Sequence, residues 1–203
     1  MNTKSFMLSE PRTFIFFGPS GSGKGTQAKL LKDYLEKNNK ERKVIYIETG
    51  QLFRDFISSN KSYTRDLTKN VMDQSGLIPE FMPIWIWSEC LIKNLTGAEH
   101  LILDGLSRRK HEAPILDGAM KFYKRKSPVI IEIDVSREWA FEKLLKRGRK
   151  DDTPDGIGPR LDWYSEHVIP AVEYLSSKPD YVHLKINGEQ TIEEVHQEIL
   201  KIV

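Results

Sequence analysis

The chain has 203 residues, of which 39% are hydrophobic and 30% charged, with a formal net charge of +2. This length suits one α/β domain that can bury a core, and the near-balance of charge excludes a broad polyanion-binding surface, so no nucleic-acid partner is expected. A single cysteine, Cys90, excludes a disulfide framework within the chain, and the five histidines show no metal-ligand spacing, so no structural zinc is expected.

Residues 1–11 are polar without an apolar signal core. No apolar run reaches the roughly 18 residues of a membrane span. A cytoplasmic protein without membrane contact is expected. The first strand is predicted at 13–17, and a helix after Lys24 places Leu31, Tyr34 and Leu35 on one stripe. Between them runs Gly18-Pro19-Ser20-Gly21-Ser22-Gly23-Lys24-Gly25-Thr26. A glycine-rich turn from strand into helix is the context of a phosphate-binding loop. Its backbone N–H groups turn onto phosphate oxygens, the helix N-terminus adds partial positive charge, and Lys24 can reach the terminal phosphates. The position after the lysine, where a hydroxyl residue for magnesium is usual, is Gly25, with Thr26 next.

Further strands are predicted at 44–47, 101–103, 129–133 and 181–186, alternating with helical patterns. Near-continuous apolar strands belong in a parallel sheet covered on both faces. The expected fold class is therefore α/β, a doubly wound three-layer P-loop sandwich on a five-stranded parallel sheet. About 50 residues separate the second and third strands, more than a crossover helix needs. An inserted helical lobe is expected at 48–78, with Leu52, Phe53, Phe56 and Ile57 as its apolar stripe. Cys90 is expected as a buried thiol, and Trp85 and Trp87, in an Ile-rich stretch, are expected in the core. Residues 148–159, rich in Gly, Pro and Asp, are predicted to be a short mobile loop between two helices. The last helix carries Ile192, Val195, Ile199 and Leu200 on one stripe. The expected organisation is a single domain with a core of 12–47, 79–147 and 159–203, the lobe 48–78 and a short lid 148–158.

Asp104 ends the third strand, and Gly105, Arg108 and Arg109 follow it. Two arginines alone make an ordinary surface pair, but the carboxyl end of a strand is where open α/β sheets bind ligands. Lys143 to Lys150 holds five basic residues; alone, such a run is a solvated helix end.

In combination these motifs resemble the adenylate kinase family, from Thr13 to near Val203. Gly18 to Gln27 resembles its ATP loop, and Thr49-Gly50-Gln51-Leu52-Phe53-Arg54 resembles its Thr-Gly-Asp-Leu-Leu-Arg motif. Gly76-Leu77-Ile78-Pro79 resembles the segment beside the acceptor base. Asp104-Gly105-Leu106-Ser107-Arg108 resembles Asp-Gly-Phe-Pro-Arg, and residues 144–152 with Arg160-Leu161-Asp162-Trp163-Tyr164 resemble the short lid and the helix start after it. The resemblance implies a nucleoside monophosphate kinase that reversibly moves the γ-phosphoryl group of ATP to AMP, giving two ADP, with Mg2+ and as a monomer. It implies ATP contacts at Gly21, Ser22, Gly23, Lys24, Gly25, Thr26, Arg147 and Gln190. It implies acceptor contacts at Thr49, Arg54, Gly76, Leu77, Ile78, Gly105, Arg108, Glu112, Arg149 and Arg160. Catalytic cations would be Lys24, Arg108, Arg147, Arg149 and Arg160, with a further basic position at Lys143 and magnesium held through water at Asp104.

Three departures from the pattern stand out. Leu106-Ser107 stands where Phe-Pro is usual, Gln51 stands for Asp, and Glu112 stands for the glutamine that reads the acceptor adenine. A carboxylate accepts hydrogen bonds but does not donate, so the base remains open to a GMP, CMP or UMP alternative. A catalytically silent nucleotide-binding regulator would lack Lys24 or the lid arginines, and a P-loop hydrolase would lack the acceptor motifs.

Overall fold

The structure is a computed structural model that describes residues 10–59, 61–74, 76–149 and 152–203. Five strands form one parallel sheet: β1 (Thr13–Phe17), β2 (Val44–Glu48), β3 (His100–Asp104), β4 (Val129–Asp134) and β5 (Val182–Asn187). Their order is β2-β3-β1-β4-β5. The strands match the sequence expectation to within a residue at each end, most clearly β1, β3 and β4, which are buried on both faces.

Alternation along the strands sorts the core into two layers. Ile15, Phe17, Leu101, Leu103 and Ile130 point to one face. There they meet α4 (Phe81–Asn94), α5 (Glu112–Phe122) and α8 (Ile169–Ser176). Phe14, Phe16, Ile102, Ile131 and Ile133 point to the other, against α1 (Lys24–Asn38) and α9 (Ile192–Leu200). Each such side chain, taken from water to full burial, contributes about 1.5–3 kcal/mol. The edges are thinner, and β5 leaves Val182 45% exposed. On the stripes read from sequence, Leu31, Leu35, Val195 and Ile199 are buried, whereas Ile192 is exposed.

The long insertion folds as α2 (Thr49–Ser59) and α3 (Tyr63–Asp73), with Phe53 packed on Met82 and Ile86 of α4. Trp87 is buried as expected, but Trp85 is 42% exposed and meets Phe56 edge-on, so only one of the two is core. Cys90 is partly buried against the core, which raises its thiol pKa.

Half of the segment read as a loop at 148–159 is helical, residues 154–159. α6 (Arg137–Arg147) ends at Gly148, and α7 (Pro154–Trp163) begins only six residues later. Thr153 caps α7 by accepting from Gly156 N–H, Pro154 occupies its first turn, and Asp155 complements the helix dipole there. Those start signals outweigh Gly156, Gly158 and Pro159, which lie inside the helix. The helix therefore starts well before Arg160, and the connection between α6 and α7 is 148–153, within which residues 150 and 151, including Asp151 of the resembling motif, lie outside the described residues. Ile157 and Leu161 pack on Ala140 and Leu144 of α6. Between α7 and α8 the helix makes one wide π turn, Tyr164–Val168, with Ile169 N–H bonded to Tyr164 O. Pro170 explains it, since its ring crowds the carbonyl four residues back and it has no N–H to donate.

Candidate active site

The loop from β1 to α1 owes its path to glycine. Gly21 has φ 88°, and a Cβ there would lie 2.5 Å from Ala140 O. α1 then starts behind Gly23 with no side-chain cap, so its first N–H groups remain open to a ligand. Lys24 closes the loop by donating from Nζ to Pro19 O at 3.3 Å. Burial lowers its pKa to about 8, against the attraction of Asp104, which favours the charged form.

This loop floors a cavity of about 290 Å³ at the carboxyl ends of β1, β2 and β3. The cavity brings together Lys24, Arg54, Arg108, Arg147, Arg149 and Arg160 from segments spread over 137 residues of sequence, 24 to 160. Gly25, Thr49, Gly76, Leu77, Ile78, Asp104, Gly105 and Glu112 also line it. Gly21, Ser22, Gly23, Thr26 and Gln190 do not. Gln190 instead donates to Asn187 O and Glu198 Oε1, at 2.8 and 2.9 Å. Lys143 lies over the Trp139 ring, 4.4 Å from its centroid. Thr49 Oγ1 is buried at the cavity wall with no partner among the described residues, a hydroxyl waiting for an acceptor.

Arg54, Arg147 and Arg160 are held by carboxylates, whereas Arg108 donates from Nε to Gly105 O at 3.0 Å. Arg147 grips Asp152 with Nε and Nη2 at 2.8 and 2.7 Å, and Arg160 Nη1 adds a bond to the same group at 3.0 Å. Burial alone would raise the Asp152 pKa, but hydrogen bonds from Arg147, Arg160 and Arg149 N–H hold it below the usual range. Arg54 Nη2 donates to Glu48 Oε1 at 2.8 Å and to Gln51 Oε1 at 2.7 Å.

Sequence reasoning missed Glu48 and Tyr46. Glu48 ends β2 in register with Asp104 on β3, so two carboxylates stand side by side. The Tyr46 phenol oxygen lies 3.3 Å from Glu48 Oε2 and 3.2 Å from Asp104 Oδ2, so its single proton is shared between them. Asp104 is buried, which raises its pKa, with Lys24 opposing. A Cβ on Gly25 would lie 3.2 Å from Asp104 Oδ2, so glycine keeps the approach to this carboxylate open. Among the described residues no group of three or more His, Cys, Asp or Glu side chains could hold a metal ion.

Two of the departures from the family pattern meet in one loop. Ser107 is buried with φ 55°, a value closed to proline, whose ring fixes φ near −65°. The change from the usual Phe-Pro therefore alters the path of the chain and not only its stiffness. On that path Arg108 N–H points at Glu112 Oε2, 3.0 Å away. Burial raises the Glu112 pKa, opposed by this bond and by the charges of Arg109 and Arg108.

A glycine-rich loop under an uncapped helix, facing converging cations at a sheet's carboxyl edge, defines a P-loop protein built to hold two phosphate-bearing ligands. The adenylate kinase family model matches residues 16–179. The chain is 30% identical to an adenylate kinase of Oenococcus oeni over 193 residues, 95% of this chain and 97% of that one. It is 31% identical to an adenylate kinase of Leptospira biflexa over 196 residues, 95% and 100% of the two chains. It is 30% identical to adenylate kinase 1 of Nostoc over 185 residues, 91% and 95%. The chain belongs to the adenylate kinase family.

Proposed function

We infer that the protein transfers the γ-phosphoryl group of ATP to AMP, reversibly, giving two ADP. The observation that carries this reading is the convergence of Lys24, Arg54, Arg108, Arg147, Arg149 and Arg160 on one cavity over the open N-terminus of α1. Phosphoryl transfer needs positioning and charge stabilisation more than covalent chemistry, and the acceptor phosphate oxygen is already anionic, so no general base is required. Lys24 and the α1 N–H groups hold the donor phosphates, with Gly21, Ser22, Gly23, Gly25 and Thr26 shaping the loop and Gln190 backbone beside the donor base. Arg54, Arg108 and Thr49 hold the acceptor phosphate, and Arg147, Arg149 and Arg160 neutralise the group in flight. Their planar forks suit phosphate and keep their charge.

Mg2+, when bound, would offset the negative charge of the donor phosphates. Asp104 would hold it through water, with Glu48 and Tyr46 fixing that carboxylate. Residues 48–78 act as the acceptor lobe and 148–158 as the lid, whose closure excludes water. The protein works as a cytoplasmic monomer.

The test is a steady-state assay with ATP and each of AMP, GMP, CMP and UMP, with product nucleotides separated by chromatography. ADP from AMP as the preferred reaction is expected. A preference for another monophosphate would overturn the acceptor, and ATP hydrolysis without transfer would overturn the kinase.

A further inference from the structure

Arg109 reads in sequence as the second half of a surface pair, yet its side chain is only 20% exposed. It folds over the segment after α3, donating from Nη1 to Ile78 O at 3.1 Å, with Nε 3.8 Å from Glu80 Oε1. The same end of the cavity is lined by Leu77, Ile78 and Glu112. Glu112 has spent Oε2 on Arg108 N–H, and its Oε1 accepts no hydrogen bond among the described residues. Arg109 Nη2 likewise donates to none of the described residues. Apolar walls at Leu77 and Ile78 thus enclose one open acceptor and one open donor. That is the complement of an adenine edge, which offers an amino donor beside a ring-nitrogen acceptor.

We propose that Arg109 is a specificity-determining residue that donates to ring nitrogen N1 of the acceptor adenine, while Glu112 Oε1 accepts from its 6-amino group. Arg109 thereby supplies the donor that a glutamine at 112 would have carried. The inference rests on the kinase reading and deepens it. It also separates adenine from guanine. Guanine in this pocket could place its N1–H on Oε1, but its 2-amino group would need a second carboxylate oxygen, and Oε2 is taken. An unmatched polar group at such a site costs far more than a missing methylene.

The experiment compares AMP with 1-deaza-AMP, in which N1 is replaced by C–H, using wild type, Arg109→Met, Glu112→Gln and the double variant. In wild type 1-deaza-AMP should lower kcat/KM by roughly 10- to 30-fold. In Arg109→Met the two acceptors should differ by less than about threefold, with the loss falling on KM for AMP and KM for ATP unchanged. Adding Glu112→Gln to Arg109→Met should restore much of the AMP activity, because the amide brings its own donor. The comparison is a ratio within each variant, so a purely structural loss of the Ile78 contact would leave it unmoved. An equal deaza penalty in wild type and Arg109→Met overturns the inference and leaves the kinase reading intact. A wild type that prefers GMP overturns both the contact and AMP as acceptor. Should wild type transfer to no monophosphate, the kinase reading falls, and calorimetric Kd values for the same two ligands decide the contact.

Discussion

Asp152 and Arg147 are joined by two hydrogen bonds, 2.8 and 2.7 Å, with the carboxylate side chain fully buried. Arg160 completes the knot from α7 at 3.0 Å. A buried carboxylate thus ties the last turn of α6 to the helix that follows and holds the Arg147 and Arg160 guanidinium groups together.

Replacing Arg160 or Arg149 with alanine should accordingly lower kcat by about 10²-fold or more. The Kd for ATP, measured without acceptor, should change by less than about threefold, because the contacts form chiefly in the transition state. Single-turnover kinetics alongside ATP titration checks this. An unchanged kcat would reduce that arginine to a surface charge.

Lys24→Met should fold and lose about 10²-fold or more in turnover. A second signature comes from protonation. With its pKa lowered to about 8 by burial, Lys24 is partly neutral in the free protein at pH 8.5. Donor phosphates favour the charged form, so ATP binding at that pH should draw in protons. Calorimetry in buffers of different ionisation enthalpy reads that uptake, and Lys24→Met should lose it.

Proline at position 107 would match the usual family motif but not this backbone. Ser107→Pro should destabilise the protein by more than about 2 kcal/mol, since φ 55° is closed to the ring. Ser107→Gly should hold or raise stability by up to about 1 kcal/mol, because glycine takes that conformation without strain. Thermal unfolding of both variants decides it: a Ser107→Pro protein as stable as wild type would mean the loop does not take this turn.

Acid should weaken the far end of the sheet through His100. Its ring is fully buried, its Nδ1 accepts Arg12 N–H at 3.1 Å, and its Nε2 lies 3.1 Å from the Asn39 amide. Burial first, then Arg42, Arg125 and Arg12, lowers its pKa to about 4. The unfolded chain, titrating near 6.5, binds this proton more readily, so stability is lost as pH falls from about 6.5 toward 4 and not below. The full effect is on the order of 3 kcal/mol. Denaturant melts of wild type and His100→Asn across that range should show a shallower pH slope in the variant.

Much of this is legible in the sequence. The strands were legible because β1, β3 and β4 are apolar on both faces, and the phosphate loop because Gly18 to Thr26 sits between a strand and a helix. α7 was not, because Gly156, Gly158 and Pro159 mask the cap and first-turn signals of Thr153, Pro154 and Asp155. Glu48 and Arg109 were hidden for a different reason. A charge at a strand end or beside another arginine looks solvated in one dimension. Only the register of β2 on β3, and the return of Ile78 onto Arg109 in the loop before α5, turn those side chains inward. Ser107 is a third kind of case, since its left-handed backbone has no signature in residue type.

The wide turn at Tyr164–Val168 gives the chain one residue to spare. A straight α-helix winds about 100° per residue, so a deletion elsewhere in α7 or α8 would spin one side of the rod against the other. It would carry Ile157 and Leu161 off α6, or Ala171 and Leu175 off the sheet. The same deletion inside the wide turn would keep both ends in phase, but with Pro170 then bending the rod where the wide turn now relieves its ring. Length variation in this arm is thereby confined to one short window beside Tyr164, whose ring lines the cavity.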